Sequence, residues 1–198
     1  MKHTIKGLML AAGSSSRMGT PKQLLPWGNA TLIEHCISVA QQSKLDSILV
    51  VLGAEAKAIL PSIEALNVDI IINREWASGM ASTIRTGVDQ LSSVNPPDGI
   101  LIMLADQPFI KTEELDAMID AFDSKDQIIA SAYKERLGVP ALFGAAHFDL
   151  LRSLSGDKGA GAVLNEKKDT IKTLPLPSDL TDIDTMERYI SLRPNTDP

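Results

Sequence analysis

Cysteine is nearly absent. Cys36 is the only one in 198 residues, which excludes an intrachain disulfide and a thiolate zinc cluster. Histidine is scarce as well: His3, His35 and His147 lie far apart and share no metal-ligand spacing, so they read as structural or surface residues. No apolar run approaches the roughly 18 residues of a membrane span. The basic excess of a general nucleic-acid binder is missing too, because 19 Lys and Arg face 25 Asp and Glu for a net charge of −6. Met1 to Lys6 is polar and basic and leads into a strand followed by a functional-looking loop instead of a cleavage site, so a cytoplasmic protein is expected. There is no internal repeat and no linker, which points to a single domain over 1–198 with a frayed tail at about 193–198.

Two familiar phosphate loops are absent. The residue after Gly19 is Thr20, with Lys22 two further on, so GxxxxGK[ST] fails; Gly13 and Gly19 alone do not make GxGxxG. What is present, in Leu8 to Pro26, LMLAAGSSSRMGTPKQLLP, is a different kind of phosphate site. Leu8 to Ala12 has the apolar continuity of a strand buried on both faces. Gly13 and Ser14 to Ser16 carry little side-chain bulk, so the backbone can fold tightly and aim successive amides at an anion. Arg17 and Lys22 add two cations within reach. Strand, small-residue loop and spaced cations suit a polyphosphate; the residues by themselves also allow an ordinary strand-to-helix turn with solvated charges.

The apolar fraction, 44 %, is enough for one substantial core, and strands alternate with helices along the chain. Thr31 and Glu34 form a capping box for a helix whose Ile33, Cys36, Ile37 and Ala40 share a face, which makes Cys36 a core residue. Further strands are expected at Ser47–Leu52, Asp69–Asn73 and Ile100–Ala105. A helix over Ala54–Leu66 should break or restart at Pro61, and another should start near Gly79. Trp76 reads as a core plug unless its segment touches a ligand. Asp106 ends the strongest strand, where open α/β sheets place ligand chemistry, although a turn aspartate would look the same. Thr112 is expected to cap the next helix, and Pro140 to mark an edge or bulged strand.

The string LAAGSSSRMGTPKQLLP closely resembles the signature LAAGxSxRMGxxKxLLP of nucleotidyltransferases related to molybdenum cofactor biosynthesis. NREWASGMASTIRTG, LADQP, GVPALF, SGDKGAGAVL and TDIDT resemble further segments of that family, and GVPALF and LAAG resemble its cytidylyltransferase branch. The resemblance implies a Rossmann-like three-layer α/β/α nucleotidyltransferase fold with a mostly parallel central sheet. It implies a nucleotide site at Leu10, Ala11, Ala12, Gly13, Ser14, Ser15, Arg17, Lys22, Gly79 and Ser82, with Arg17, Lys22 and Asp106 catalytic. It also implies Mg2+ held by Asp106 and Asp184, with Asp182 a weaker candidate.

The activity implied is transfer of CMP from CTP to the phosphate of molybdopterin with release of pyrophosphate. The extra methyl of Ala12, where the guanylyl branch more often has glycine, would narrow the space beside the base and suit a pyrimidine. Partners implied are CTP, a molybdopterin-type substrate and, at delivery, transient contact with a molybdoenzyme or its chaperone; no nucleic acid or membrane is expected. Gly161 stands where the family often has an arginine, leaving Lys158 and Arg152 as candidate cations for an anionic acceptor. Two alternatives stay open: another phosphorylated acceptor such as a sugar or polyol phosphate, and a non-catalytic module that delivers a nucleotide or cofactor.

Overall fold

The computed structural model describes residues 2–16, 18–133, 136–176 and 181–194. Seven strands form one sheet. They are β1 (Ile5–Ala11), β4 (Ser47–Leu52), β5 (Asp69–Ile72), β6 (Gly99–Leu104), β7 (Ile128–Tyr133), β8 (Arg136–Gly144) and β9 (Lys172–Pro175). Their spatial order is β5-β4-β1-β6-β8-β7-β9. Only β8 runs against the others: it pairs antiparallel with both β6 and β7, and every other pairing is parallel. A small hairpin of β2 (Pro26–Trp27) and β3 (Ala30–Thr31) stands apart from the sheet.

Alternation along β1 feeds two cores. Ile5, Met9 and Ala11 pack on one face with α1 (Leu32–Gln41), α2 (Ala56–Ile63) and α4 (Thr112–Asp120). Leu8 and Leu10 pack on the other with α3 (Met80–Ser93), α5 (Phe148–Arg152) and α6 (Ala160–Glu166). Gly87 lets α3 lie close on β1, since a Cβ there would come within 2.3 Å of Leu8 Cδ1. The result is the expected three-layer α/β arrangement with a mostly parallel sheet. A third, smaller core of Met18, Trp27, Leu32, Ile183 and Tyr189 joins the hairpin to α7 (Met186–Leu192). No helix among the described residues is long and apolar enough to cross a membrane.

Three local expectations are corrected. Pro61 lies inside α2 without breaking it. Both Pro61 and Lys57, whose carbonyl loses its intrahelical partner, are exposed, so that carbonyl faces solvent. Thr112 is the first helical residue and not the cap; its hydroxyl donates to the Val39 carbonyl at 3.1 Å, while Lys111 N–H donates to the Glu114 carboxylate at 2.8 Å. Pro140 sits in β8, an interior strand and not an edge, while the bulge expected there is present. It is tolerated because pairing with β6 stops at Ala141, the register with β7 shifts between Ala130 and Ser131, and the Pro140 carbonyl accepts from Ser131 Oγ at 2.6 Å.

Candidate active site

The carboxyl ends of β1 and β6 open into a cleft of about 490 Å³. The two ends are tied together where Ala105 N–H donates to the Leu10 carbonyl at 3.2 Å. Beyond β1 the chain passes through Ala12, Gly13 and Ser14, which line the cleft with Leu10 and Ala11. Gly13 and Ser14 are exposed, so the loop backbone faces the opening. Ser15 holds the loop in shape from within. It adopts a positive φ of 51°, its carbonyl accepts from Met18 N–H at 2.8 Å, and its Oγ accepts from Lys22 N–H at 3.0 Å. Arg17 lies outside the described residues.

Gln23 is the loop's buried brace, a role that its sequence position does not announce. It is 2 % exposed; its amide donates to the carbonyls of Ala11 at 3.3 Å and Gly13 at 3.4 Å and accepts from Ser15 Oγ at 3.2 Å. A buried amide used on both its donor and acceptor sides fixes a backbone geometry that a methyl could not.

Lys22, the first residue of a short 3-10 turn (Lys22–Leu24), reaches across the cleft. Its ammonium is hydrogen-bonded to Asp106 and, at 2.8 Å, to Asp184 Oδ1. Burial opposes the lysine charge, but the two carboxylates outweigh it and hold the Lys22 pKa above its ordinary value. The second carboxylate arrives from far along the chain because Ile183, fully buried in the third core, donates its N–H to the Asp106 carbonyl at 2.9 Å. Thr185 then caps α7, accepting from Arg188 N–H at 3.2 Å. Asp182, beside this pair, accepts from Gln107 Nε2 at 2.9 Å. Burial, then the neighbouring Asp106 charge, push its carboxyl up to about 6.

The opposite wall comes from the segment between β5 and α3. Asn73, 3 % exposed, donates to Ser82 Oγ at 2.8 Å and Thr83 Oγ1 at 3.1 Å, and accepts from Glu75 N–H at 2.9 Å. Ser82 Oγ donates to the carbonyls of Glu75 and Gly79. The Ser82 hydroxyl thus holds the loop together and does not line the cleft; Gly79 and Thr83 do line it. Trp76 is 39 % exposed on the cleft wall, so it is no core plug, and Met80 beside it is 45 % exposed. Gly79 takes φ 102°, and a Cβ there would meet the Gly156 carbonyl at 2.4 Å. Ala81 N–H donates to that same carbonyl at 3.1 Å, which carries Asp157 to the rim. A Cβ at Gly161 would meet the Leu137 carbonyl oxygen at 4.0 Å, Arg152 pairs with Asp89 and Asp149 away from the cleft, and Lys158 is exposed and does not line it.

The three histidines serve the frame, each within hydrogen-bonding distance of a backbone carbonyl: His3 with Asp123, His35 with Pro108 and His147 with Asp126. Cys36 is buried, and burial together with the Asp106 charge pushes its thiol pKa well up. It is not a nucleophile.

The electrostatics of the cleft decide what it can hold. Among its described lining residues, one ammonium faces four carboxylates, those of Asp106, Asp157, Asp182 and Asp184. A polyphosphate enters such a cleft only with a cation beside it. Asp106 Oδ1 is buried without a hydrogen-bond partner. The chain's own cation already bridges Asp106 to Asp184, so these oxygens suit a hard cation. Among the described residues no group of three or more His, Cys, Asp or Glu forms a closed metal cage, which fits an ion shared with substrate phosphates and water.

The cleft thus lies at the carboxyl ends of β1 and β6 in a mostly parallel sheet, with the Gly13–Ser14 backbone on one side and Asp106 and Asp184 on the other, an arrangement that can receive a nucleotide. The chain belongs to the family described as the MobA-like NTP transferase domain, whose model matches residues 7–171. Among curated relatives it is 31 % identical to the purine catabolism protein PucB of Bacillus subtilis, covering 94 % of this chain and 95 % of that one. It is 28 % identical to the nicotine blue oxidoreductase of Paenarthrobacter nicotinovorans over 95 % of this chain and 96 % of that one. Among solved structures, Rv0371c of Mycobacterium tuberculosis in complex with manganese superposes with a TM-score of 0.79 at 28 % identity, covering 96 % and 98 % of the two chains.

Proposed function

We propose that this nucleotidyltransferase moves CMP from CTP to the terminal phosphate of molybdopterin, releasing pyrophosphate. The observation that carries the transfer chemistry is the meeting of Lys22, Asp106 and Asp184 beside the Gly13–Ser15 loop. In this reading the acceptor's phosphate oxygen attacks the α-phosphorus of CTP, a new P–O bond forms, and the bond to the β-phosphate breaks. The acceptor phosphate is already ionised near neutral pH, so no general base is required. Catalysis is then alignment and charge neutralisation. The loop amides and Lys22 would hold the β- and γ-phosphates, Arg17 adding a second cation, while Asp106 and Asp184 would hold Mg2+. Bound there, Mg2+ would offset charge on the phosphates. The manganese complex of Rv0371c supports a divalent ion in this fold.

The pyrimidine preference rests on Ala12. It is 7 % exposed and lines the cleft, packed against Gly53, where an added Cβ would come within 2.7 Å of Ala12 Cβ and 2.8 Å of Trp76 Cβ. The methyl therefore sits on a floor that does not yield, and a smaller base fits above it. Gly79 and Thr83 would border the base on the far side. Incubation with each nucleoside triphosphate and molybdopterin, read as pyrophosphate release, should show CTP preferred. Equal or better use of GTP would overturn the assignment of the base, and release with a sugar or polyol phosphate alone would overturn that of the acceptor.

A further inference from the structure

We infer that Lys22 is a built-in placeholder for the divalent cation: its ammonium leaves the Asp106–Asp184 pair when the ion arrives and only then is free to take the nucleotide phosphates. The inference deepens the proposed metal site and rests on it. Its starting point is a conflict of assignments. Lys22 is the one cation among the described lining residues, yet its ammonium is engaged by the same two carboxylates that would hold the ion. One group cannot neutralise both partners at once. With Lys22 on the carboxylates, the phosphate loop lacks that cation; with the ion on the carboxylates, their attraction for the lysine falls and the like charge of the ion repels it.

The local build permits this movement and confines it to the side chain. The Lys22 N–H is fixed by Ser15 Oγ at 3.0 Å, and Gln23 braces the loop behind it, so the backbone has no need to shift. The four-carbon stem carries a compact charge that turns from one partner to another by rotamer change alone. With Lys22 between them the two carboxylates are kept from repelling each other. Nucleotide without a divalent ion would therefore meet an occupied lysine and carboxylates of its own charge sign. Nucleotide and ion would strengthen each other's binding, and the coupling would run through this one side chain.

The test uses the native chain with Mn2+ alone. Mn2+ binding is followed by its electron paramagnetic signal, and in parallel the acylation rate of each lysine amine is read by mass spectrometry. Lys22 should label slowly without metal and several-fold faster with Mn2+, with a midpoint matching the binding curve, while Lys44 and Lys125 stay unchanged. Mn2+ binding with no change at Lys22 overturns the placeholder and leaves the metal site standing. No Mn2+ binding, either alone or with a nucleoside triphosphate present, overturns the metal site and the placeholder with it. The variant Lys22→Met adds a second readout: losing two charge-assisted hydrogen bonds that compete with the ion should tighten Mn2+ binding about tenfold or more. Equal or weaker binding by a variant whose thermal unfolding matches the native chain would overturn the inference; if the variant does not fold, the labelling experiment decides alone.

Discussion

The two ends of the cleft are built in opposite ways. At one end, charged groups from distant parts of the chain are locked to one another: Lys22 to Asp106 and Asp184, Asp182 to Gln107, Ile183 to the Asp106 backbone. At the other, Trp76 and Met80 are large apolar side chains left substantially exposed over a scaffold of buried polar bonds around Asn73. The first end is suited to charge chemistry shared by all phosphoryl donors; the second offers a surface that can be matched to a particular base or acceptor. On the proposed reading, the β1–β6 side would carry the charge chemistry, and the β5–α3 side together with Ala12 the choice of substrate.

The strongest way to break that division is to remove charge from the first end. Asp106→Asn should lower turnover by about a thousandfold and Asp184→Asn by about a hundredfold, with the double variant little worse than Asp106→Asn alone, because the pair acts as a unit. Raised Mg2+ should partly restore each single variant. Near-normal turnover and magnesium dependence in Asp184→Asn would reduce that residue to a position in the turn before α7. Lys22→Ala should cost about a hundredfold in kcat/KM, through lower kcat and higher KM for nucleotide together. Unchanged kinetics would remove Lys22 from the site.

The second end is sharpened by smaller effects. Gly79→Ala places a Cβ against the Gly156 backbone at a φ reserved for glycine, so thermal unfolding should show a loss of about 2 kcal/mol or more. Trp76→Ala should leave stability nearly unchanged and raise KM about three- to tenfold for whichever substrate rests on it, with kcat affected less. Equal loss of kcat would move Trp76 from the binding wall to the reacting end. The smallest effect concerns Asp182, whose folded pKa of about 6 exceeds its ordinary 3.8. Between those values the native state binds more protons than the unfolded chain, so this group's contribution to stability is full below pH 4 and is lost as pH rises through 6. Asp182→Asn keeps an acceptor for Gln107 without the charge. It should be more stable than the native chain by about 1 kcal/mol at pH 8, discounted for partial exposure, and no more stable at pH 3.5.

The sheet was legible in the sequence where apolar runs and turn residues agreed, as at Ser47–Leu52, which forms as expected. The helix start at Gly79 was legible because a positive-φ residue before an apolar helical stripe has few other meanings. Asp106 was legible in position only: it follows an apolar strand and lines the cleft there, although a turn aspartate would have looked the same in the sequence. Gln23 and Asp157 were not. Their roles exist only after folding brings Ala11, Gly13 and Ser15 around one amide, and Gly156 against Gly79. Pro61 misled, and Pro140 marked a bulge but not an edge, because a proline's cost depends on whether its missing N–H had a partner, and that is settled by neighbours the local pattern does not contain.

The third small core has a consequence for a chain being made residue by residue. Met18, Trp27 and Leu32 belong to the early sequence, while Ile183 and Tyr189 come after every strand of the main sheet, and Tyr189 Oη donates to the Pro26 carbonyl at 2.7 Å. Each of the two larger cores can close before this late segment leaves the ribosome. Asp184 travels between Ile183 and α7, so the second carboxylate arrives only when that segment docks. Synthesis thus separates the closing of the two larger cores from the later docking that sets Asp184 beside Lys22.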